Sequence, residues 1–165
     1  MKRRVFLFAL TLTLALSGCG FQLRGASPLT FKTVFVEAPV ASYQRNVMAE
    51  RMRTLLKAAG ATVTGLPNEA EIILKLGAEK RTKTILSLTG AGRVAEYRLE
   101  MSVTYQAHTP AGKERLPETE IKFIRDLTYD DSQYAAKSAE EDFLYKSMDE
   151  EATQQIMRHL RRISA

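Results

Sequence analysis

The sequence predicts an α+β fold in which two helices pack on one face of a four-stranded mixed sheet, in the order β-α-β-β-β-α. Three observations carry this expectation. Residues 94–107 alternate apolar and polar side chains almost without a break, residues 48–59 and 144–163 repeat apolar side chains at helical spacing, and Gly and Pro punctuate the chain between periodic segments. A chain of 165 residues with 45% apolar content suits one domain better than two and is far too polar for a polytopic membrane protein.

Residues 31–37 form a β-branched and aromatic run stopped by Ala38-Pro39, and this reads as a strand. Ser42 supplies an N-cap, after which Met48, Met52, Leu55, Leu56 and Ala59 share one helical face and Gly60 provides the C′ stop. In residues 71–88 the even positions Ile72, Leu74, Leu76 and Ala78 make an apolar strand face. Leu86 and Leu88 resume that face beyond a polar middle at Lys80, Thr82 and Thr84. In residues 94–107, Tyr97, Leu99, Met101, Val103 and Tyr105 alternate with Glu96, Arg98, Glu100, Ser102 and Thr104, the mark of a strand with one face buried and one wet. Residues 119–129 repeat the pattern through Ile121, Phe123, Leu127 and Tyr129. Gly90-Ala91-Gly92 and Pro110-Ala111-Gly112 are turn chemistry, so the last three strands form an antiparallel meander. The final helix covers residues 132–163 on a stripe of Leu144, Met148, Ala152, Ile156, Leu160 and Ile163, with Ser138 and Glu141 at capping-box spacing.

The N-terminus is organised differently. Lys2, Arg3 and Arg4 precede a twelve-residue apolar run, residues 5–16, which is too short for a spanning helix of roughly 20 residues but fits a secretory h-region. Leu16-Ser17-Gly18-Cys19 follows, and Cys19 is the only cysteine. The tetrapeptide resembles the lipobox of bacterial lipoproteins, which implies a diacylglycerol and an N-acyl group on Cys19. Gly20, in place of an aspartate, implies sorting to the outer membrane. The expected organisation is a removed signal peptide over residues 1–18, a lipidated extended leader over 19–30 and a single domain over 31–165. Stable anchoring takes more than one acyl chain, so such a protein stays on the inner leaflet of its membrane.

Other chemistry is sparse. The signal segment carries three of the five net positive charges and no acid, so a nucleic-acid partner is not expected. A lone cysteine excludes a disulfide framework and a thiolate-rich zinc site; no other cofactor and no metal is expected. His108 ends a strand, and His159 lies in the last helical turns, where a partly charged imidazole suits the helix dipole. No nucleophile elbow, zincin motif or P-loop is present, and the acidic runs Asp130-Asp131 and Glu140-Glu141-Asp142 read as helix-start residues, so no enzyme activity is expected. The basic residues are the candidate ligand contacts: Lys80, Arg81 and Lys83 in mid-hairpin, Arg93 at the opposite hairpin shoulder and Lys137 near the start of the last helix. A hairpin closing at residues 90–92 gathers them toward one end, where they suit phosphates of an anionic glycolipid. The plainer reading, cations that guard a strand edge or keep it soluble, stays open for each.

Cys19-Gly20-Phe21-Gln22-Leu23-Arg24-Gly25 resembles the mature start of the LptE, or rare lipoprotein B, family. The resemblance continues through Arg93-Val94-Ala95-Glu96-Tyr97 and Asp130-Asp131-Ser132-Gln133 to Ala136-Lys137. It implies two helices on a four-stranded sheet and a non-catalytic plug in the lumen of the outer-membrane β-barrel LptD, which assists barrel assembly and delivery of lipopolysaccharide to the outer leaflet. Lys137 carries over as a lipopolysaccharide contact, with Arg93 beside it, although Gly90 stands where some relatives carry a basic turn residue. An auxiliary lipoprotein of a lipid-transporting ABC system and a free periplasmic ligand-binding lipoprotein are the competing expectations.

Overall fold

The computed structural model describes residues 29–39 and 47–163. The signal peptide, Cys19, most of the leader and the N-cap at Ser42 lie outside the described residues. Strand β1 (Thr33–Glu37) leads to helix α1 (Val47–Ala58), then to strands β2 (Thr62–Val63), β3 (Ile72–Leu76), β4 (Lys80–Leu88), β5 (Val94–His108) and β6 (Glu114–Thr128), and to helix α2 (Tyr134–Leu160). A 3₁₀ turn precedes β3 and another, Asp131–Gln133, precedes α2. The sheet therefore has six strands rather than the four expected. A two-residue strand was too short to show in the sequence pattern, and the single strand expected over residues 71–88 is two.

Helix α1 ends as its sequence requires. Ala61 N–H donates to the Leu56 carbonyl (3.0 Å) and Gly60 N–H to that of Lys57 (3.0 Å), with Gly60 at φ +90°. This is a Schellman motif, and its left-handed residue falls on glycine. Met48, Ala49, Met52 and Leu56 are buried on the inner face of the helix. Helix α2 runs unbroken past Ser138, so the capping-box spacing there caps nothing; Glu141 instead bonds Lys83 of the sheet (2.6 Å).

Strands β2, β1 and β3 lie parallel, and β3 pairs antiparallel with the C-terminal part of β5. Strand β4 pairs with the N-terminal part of that same edge of β5, while β6 covers the opposite edge. One apolar cluster joins Val34 and Val36 of β1, Leu74 and Leu76 of β3, Leu99, Met101 and Tyr105 of β5 and Ile121 of β6 to both helices, so the helices share one face of the sheet.

The break between β3 and β4 changes which side chains face the helices. Leu76 opposes Tyr105 and Lys80 opposes Ser102, so three residues, 77–79, stand against two, 103 and 104. Such a bulge shifts the pleat by one, and every side chain from Lys80 to Ile85, where the register shifts again, changes face. Arg81 therefore opposes Met101, Lys83 opposes Leu99 and Ile85 opposes Tyr97, all on the helix side. Lys80, Thr82 and Thr84 point to the uncovered face, and the apolar face that stops at Leu76 does not resume at Leu86.

Gly77 holds the bulge. Its N–H donates to the Thr104 carbonyl (2.7 Å), and a Cβ at Gly77 would stand 2.0 Å from Thr104 Oγ1 and 3.2 Å from that carbonyl oxygen. Gly77→Ala is expected to cost about 1–3 kcal/mol in urea unfolding, the usual scale of overpacking. Gly65→Ala, where a Cβ meets nothing within 4 Å, is expected to stay within about 0.5 kcal/mol of the parent, the usual range for surface changes.

Candidate functional site

The domain has two distinct ends. At one, Thr30 Oγ1 donates to the Ile163 carbonyl (2.7 Å), which places the start and finish of the described chain together. At the other, the β4–β5 turn, the end of β6 and the start of α2 converge. The fifteen residues of β5 separate the two ends by about 50 Å at roughly 3.3 Å per residue.

The far end is tied by Tyr129 N–H, which donates to the Ala95 carbonyl (2.8 Å) and so sets Asp130 beside the Arg93 shoulder. Asp130 accepts from Ser132 N–H (2.9 Å) and Ser132 Oγ (2.8 Å). Those bonds, with the positive charges of Arg93 and Lys137, hold its carboxyl below the ordinary aspartate value. Lys137 Nζ lies 2.9 Å from Glu140 Oε2, one helical turn on. The structure thus brings Arg93 and Lys137 together around one carboxylate.

Lys83 comes next along the seam between sheet and helix. Its Nζ donates to Glu141 Oε2 (2.6 Å) and stands over the Tyr97 ring, 4.2 Å from the centroid, and over Tyr129 at 5.9 Å. The two rings meet edge-on at 5.0 Å. Partial burial pulls the Lys83 amine down, but the hydrogen bond and charge of Glu141 outweigh it and leave the pKa raised. Arg81 lies deeper. Its guanidinium bonds Glu79 and reaches Asp149 Oδ2 (3.1 Å), and it covers the Tyr145 ring at 4.8 Å. Tyr145 in turn donates to the Thr82 carbonyl (3.2 Å). Asp149 is buried, and desolvation followed by the charge of Glu79 pushes its carboxyl up to about 6. Lys80 projects from the opposite face of the sheet, apart from the other four cations.

Asp130, Glu140 and Glu141, expected only as helix-start residues, stand as counter-ions to the cations, and Asp149, which no sequence pattern singled out, is the fourth. One signal was available, the i,i+3 spacing of Lys137 and Glu140. The pairs across the seam were not visible, because they depend on the bulge. His159 Nδ1 contacts the hydroxyl of buried Tyr105, and burial, aided by the charges of Arg162 and Arg158, lowers its pKa. Among the described residues no group of His, Cys, Asp and Glu is arranged to hold a metal ion, and no helix is long and apolar enough to cross a membrane.

The family model described as "LptE: Lipopolysaccharide-assembly" matches residues 31–160. The chain is 29% identical over 168 residues to the LPS-assembly lipoprotein LptE of Pectobacterium atrosepticum, covering 97% of this chain and 86% of that protein. The solution structure of lipoprotein B from Nitrosomonas europaea superposes with a TM-score of 0.73 at 33% identity, over 86% of this chain and 90% of that one. The rare lipoprotein B crystal structure from Shewanella oneidensis gives 0.66 at 26% identity, over 78% and 93% respectively.

The seam makes a prediction about pH. The Asp149 carboxyl titrates near 3.8 when unperturbed and near 6 in the folded protein, so the native state holds its proton more tightly. Its contribution to stability is full below about pH 4 and is lost as pH rises through about 6. Urea midpoints for the parent and Asp149→Asn, measured from pH 4 to 7, are expected to diverge across that window, with the variant gaining relative to the parent as pH rises. Parallel curves would show that Asp149 titrates normally.

Proposed function

The chain belongs to the LptE lipopolysaccharide-assembly family, and from that membership we propose that it is an outer-membrane lipoprotein, anchored through acylated Cys19, that plugs the LptD β-barrel and assists insertion of lipopolysaccharide into the outer leaflet. The protein acts by shape and surface charge, without a catalytic step. The observation that carries this reading is the separation of its two ends. The described chain begins at the end opposite the Arg93–Lys137 cluster, and about 50 Å of strand between them exceeds the roughly 30 Å of bilayer hydrocarbon. A domain tethered by its N-terminus within a barrel therefore holds its cationic end at the height of the outer leaflet.

The uncovered sheet face supports the same reading. It carries Arg98 paired with Asp126 (3.0 Å) and Lys122 paired with Glu100 (2.8 Å), with Glu96, Ser102 and Thr104 beside them. That surface suits the polar lumen of a large barrel better than it suits lipid. Arg93 and Lys137 are the first candidates for lipopolysaccharide phosphates and Lys83 the next; Arg81 is held by Glu79 and Asp149, and Lys80 lies on the other face.

Isolation of the acylated chain from outer membranes in mild detergent is expected to yield an equimolar complex with a large β-barrel protein. A monomer, recovered from membranes that contain the barrel, would favour an ABC-system accessory or a free periplasmic binder instead. Palmitate labelling is expected to mark Cys19 and to vanish in Cys19→Ser. Arg93→Asp combined with Lys137→Asp is expected to weaken lipopolysaccharide binding about tenfold or more and to make it less salt-dependent, with the unfolding midpoint unchanged. Unchanged affinity would reassign both cations to solubility.

A further inference from the structure

Lys137 and Lys83 are each paired with a carboxylate, and Arg93 stands beside a third. Lys137 Nζ sits 2.9 Å from Glu140, and its side chain is only 17% exposed while that of Glu140 is 48% exposed. Lys83 Nζ sits 2.6 Å from Glu141. The tie between Tyr129 and Ala95 keeps Asp130 at the shoulder where Arg93 emerges. An anion that arrives here meets Lys137 and Lys83 paired with carboxylates and Arg93 in the field of Asp130. It engages Lys137 only by replacing Glu140, and Arg93 only against the repulsion of Asp130, so binding is favourable only if the newcomer brings more charge than a carboxylate does.

This separates two kinds of phosphate. A phosphodiester carries one negative charge, as a carboxylate does, so the exchange is charge-neutral and gives up an intramolecular partner. A phosphomonoester carries about −1.5 to −2 at neutral pH and offers three strong acceptor oxygens, so the exchange leaves a surplus of attraction. We propose that Asp130 and Glu140 set a charge threshold at this end of the domain, so that Arg93 and Lys137 take phosphomonoester headgroups and pass over phosphodiester phospholipids. The inference rests on the proposed function for the location of the site and goes beyond it in naming which lipids are refused and which residues refuse them. The phosphate is borne by a lipid: Ile85, Leu88 and Tyr134 at the same end are 58%, 57% and 68% exposed, an apolar border that a dissolved ion does not need.

The test uses the full-length acylated protein in neutral detergent at about pH 7.5, above the second phosphate ionisation near 6. It is titrated by calorimetry with short-chain phosphatidic acid, a phosphomonoester, with short-chain phosphatidylglycerol, a phosphodiester, and with inorganic phosphate. The parent is expected to bind phosphatidic acid at least about tenfold more tightly than phosphatidylglycerol. Asp130→Asn with Glu140→Gln keeps a capping side chain and a helix former, so folding is retained. This variant is expected to bind phosphatidylglycerol about as tightly as the parent binds phosphatidic acid. Equal binding of the two lipids by the parent, or no gain of phosphatidylglycerol binding in the variant, would overturn the threshold. Inorganic phosphate bound as tightly as phosphatidic acid would overturn the lipid assignment. Lipopolysaccharide titrated in parallel separates the two levels: binding that depends on Arg93 and Lys137 but shows no discrimination sinks the threshold alone. No binding of lipopolysaccharide by the parent sinks the site itself.

Discussion

One extra residue in a strand organises the domain. The bulge at residues 77–79 lets β3 and β4 share a single edge of β5 while it reverses the parity of β4 as far as Ile85. Before it, Leu74 and Leu76 face the helices; after it, Arg81 and Lys83 do. Gly77 is the residue that permits this, because the Thr104 side chain and carbonyl occupy the space a Cβ would need.

The consequence is a helix held in two different ways. The C-terminal part of α2 is clamped by apolar burial, with Met148, Ala152, Ile156 and Leu160 fully covered. Among the described residues none of positions 134–144 is buried, and that part of the helix meets the sheet through Lys83–Glu141 and, just below, Arg81–Asp149 and Tyr145. Partly exposed ion pairs contribute little stability each, whereas buried side chains contribute roughly 1.5–3 kcal/mol apiece. The far end is therefore specified by charge geometry and the near end by packing. A charged seam that tolerates exchange of partners is a suitable place for an anionic ligand; a packed core is not.

The same division relates fold to family role. In the proposed role, a plug resists deformation where it is tethered and presents chemistry where cargo passes. The apolar cluster runs from the end where the described chain begins and finishes as far as Leu99, Leu127 and Tyr145, and Arg93 and Lys137 lie beyond it at the start of β5. The outer sheet face between them carries cross-strand ion pairs around an exposed Ile124, and its mostly polar surface is compatible with a wet lumen wall.

Much of this was legible in the chain itself. The alternation of residues 94–107 identified β5 and its two faces, the spacing of Met48, Met52 and Leu56 identified α1, and the glycine-containing turns identified the meander, because each signal is local and repeats over several residues. The approach of Arg93 and Lys137 at one end was legible, whereas the separation of Lys80 onto the other face was not. Nor were the partners of the cations. A bulge leaves no periodic trace in nine residues of mixed polarity, so extrapolating the even-numbered face from Leu76 to Leu86 put Arg81 and Lys83 on the wrong side of the sheet. Local sequence determined which segments are strands and helices and which residue types each displays. Only the tertiary structure decided which charges meet, because an ion pair between residues 83 and 141 exists through strand register and helix placement, and register is a property of two segments at once.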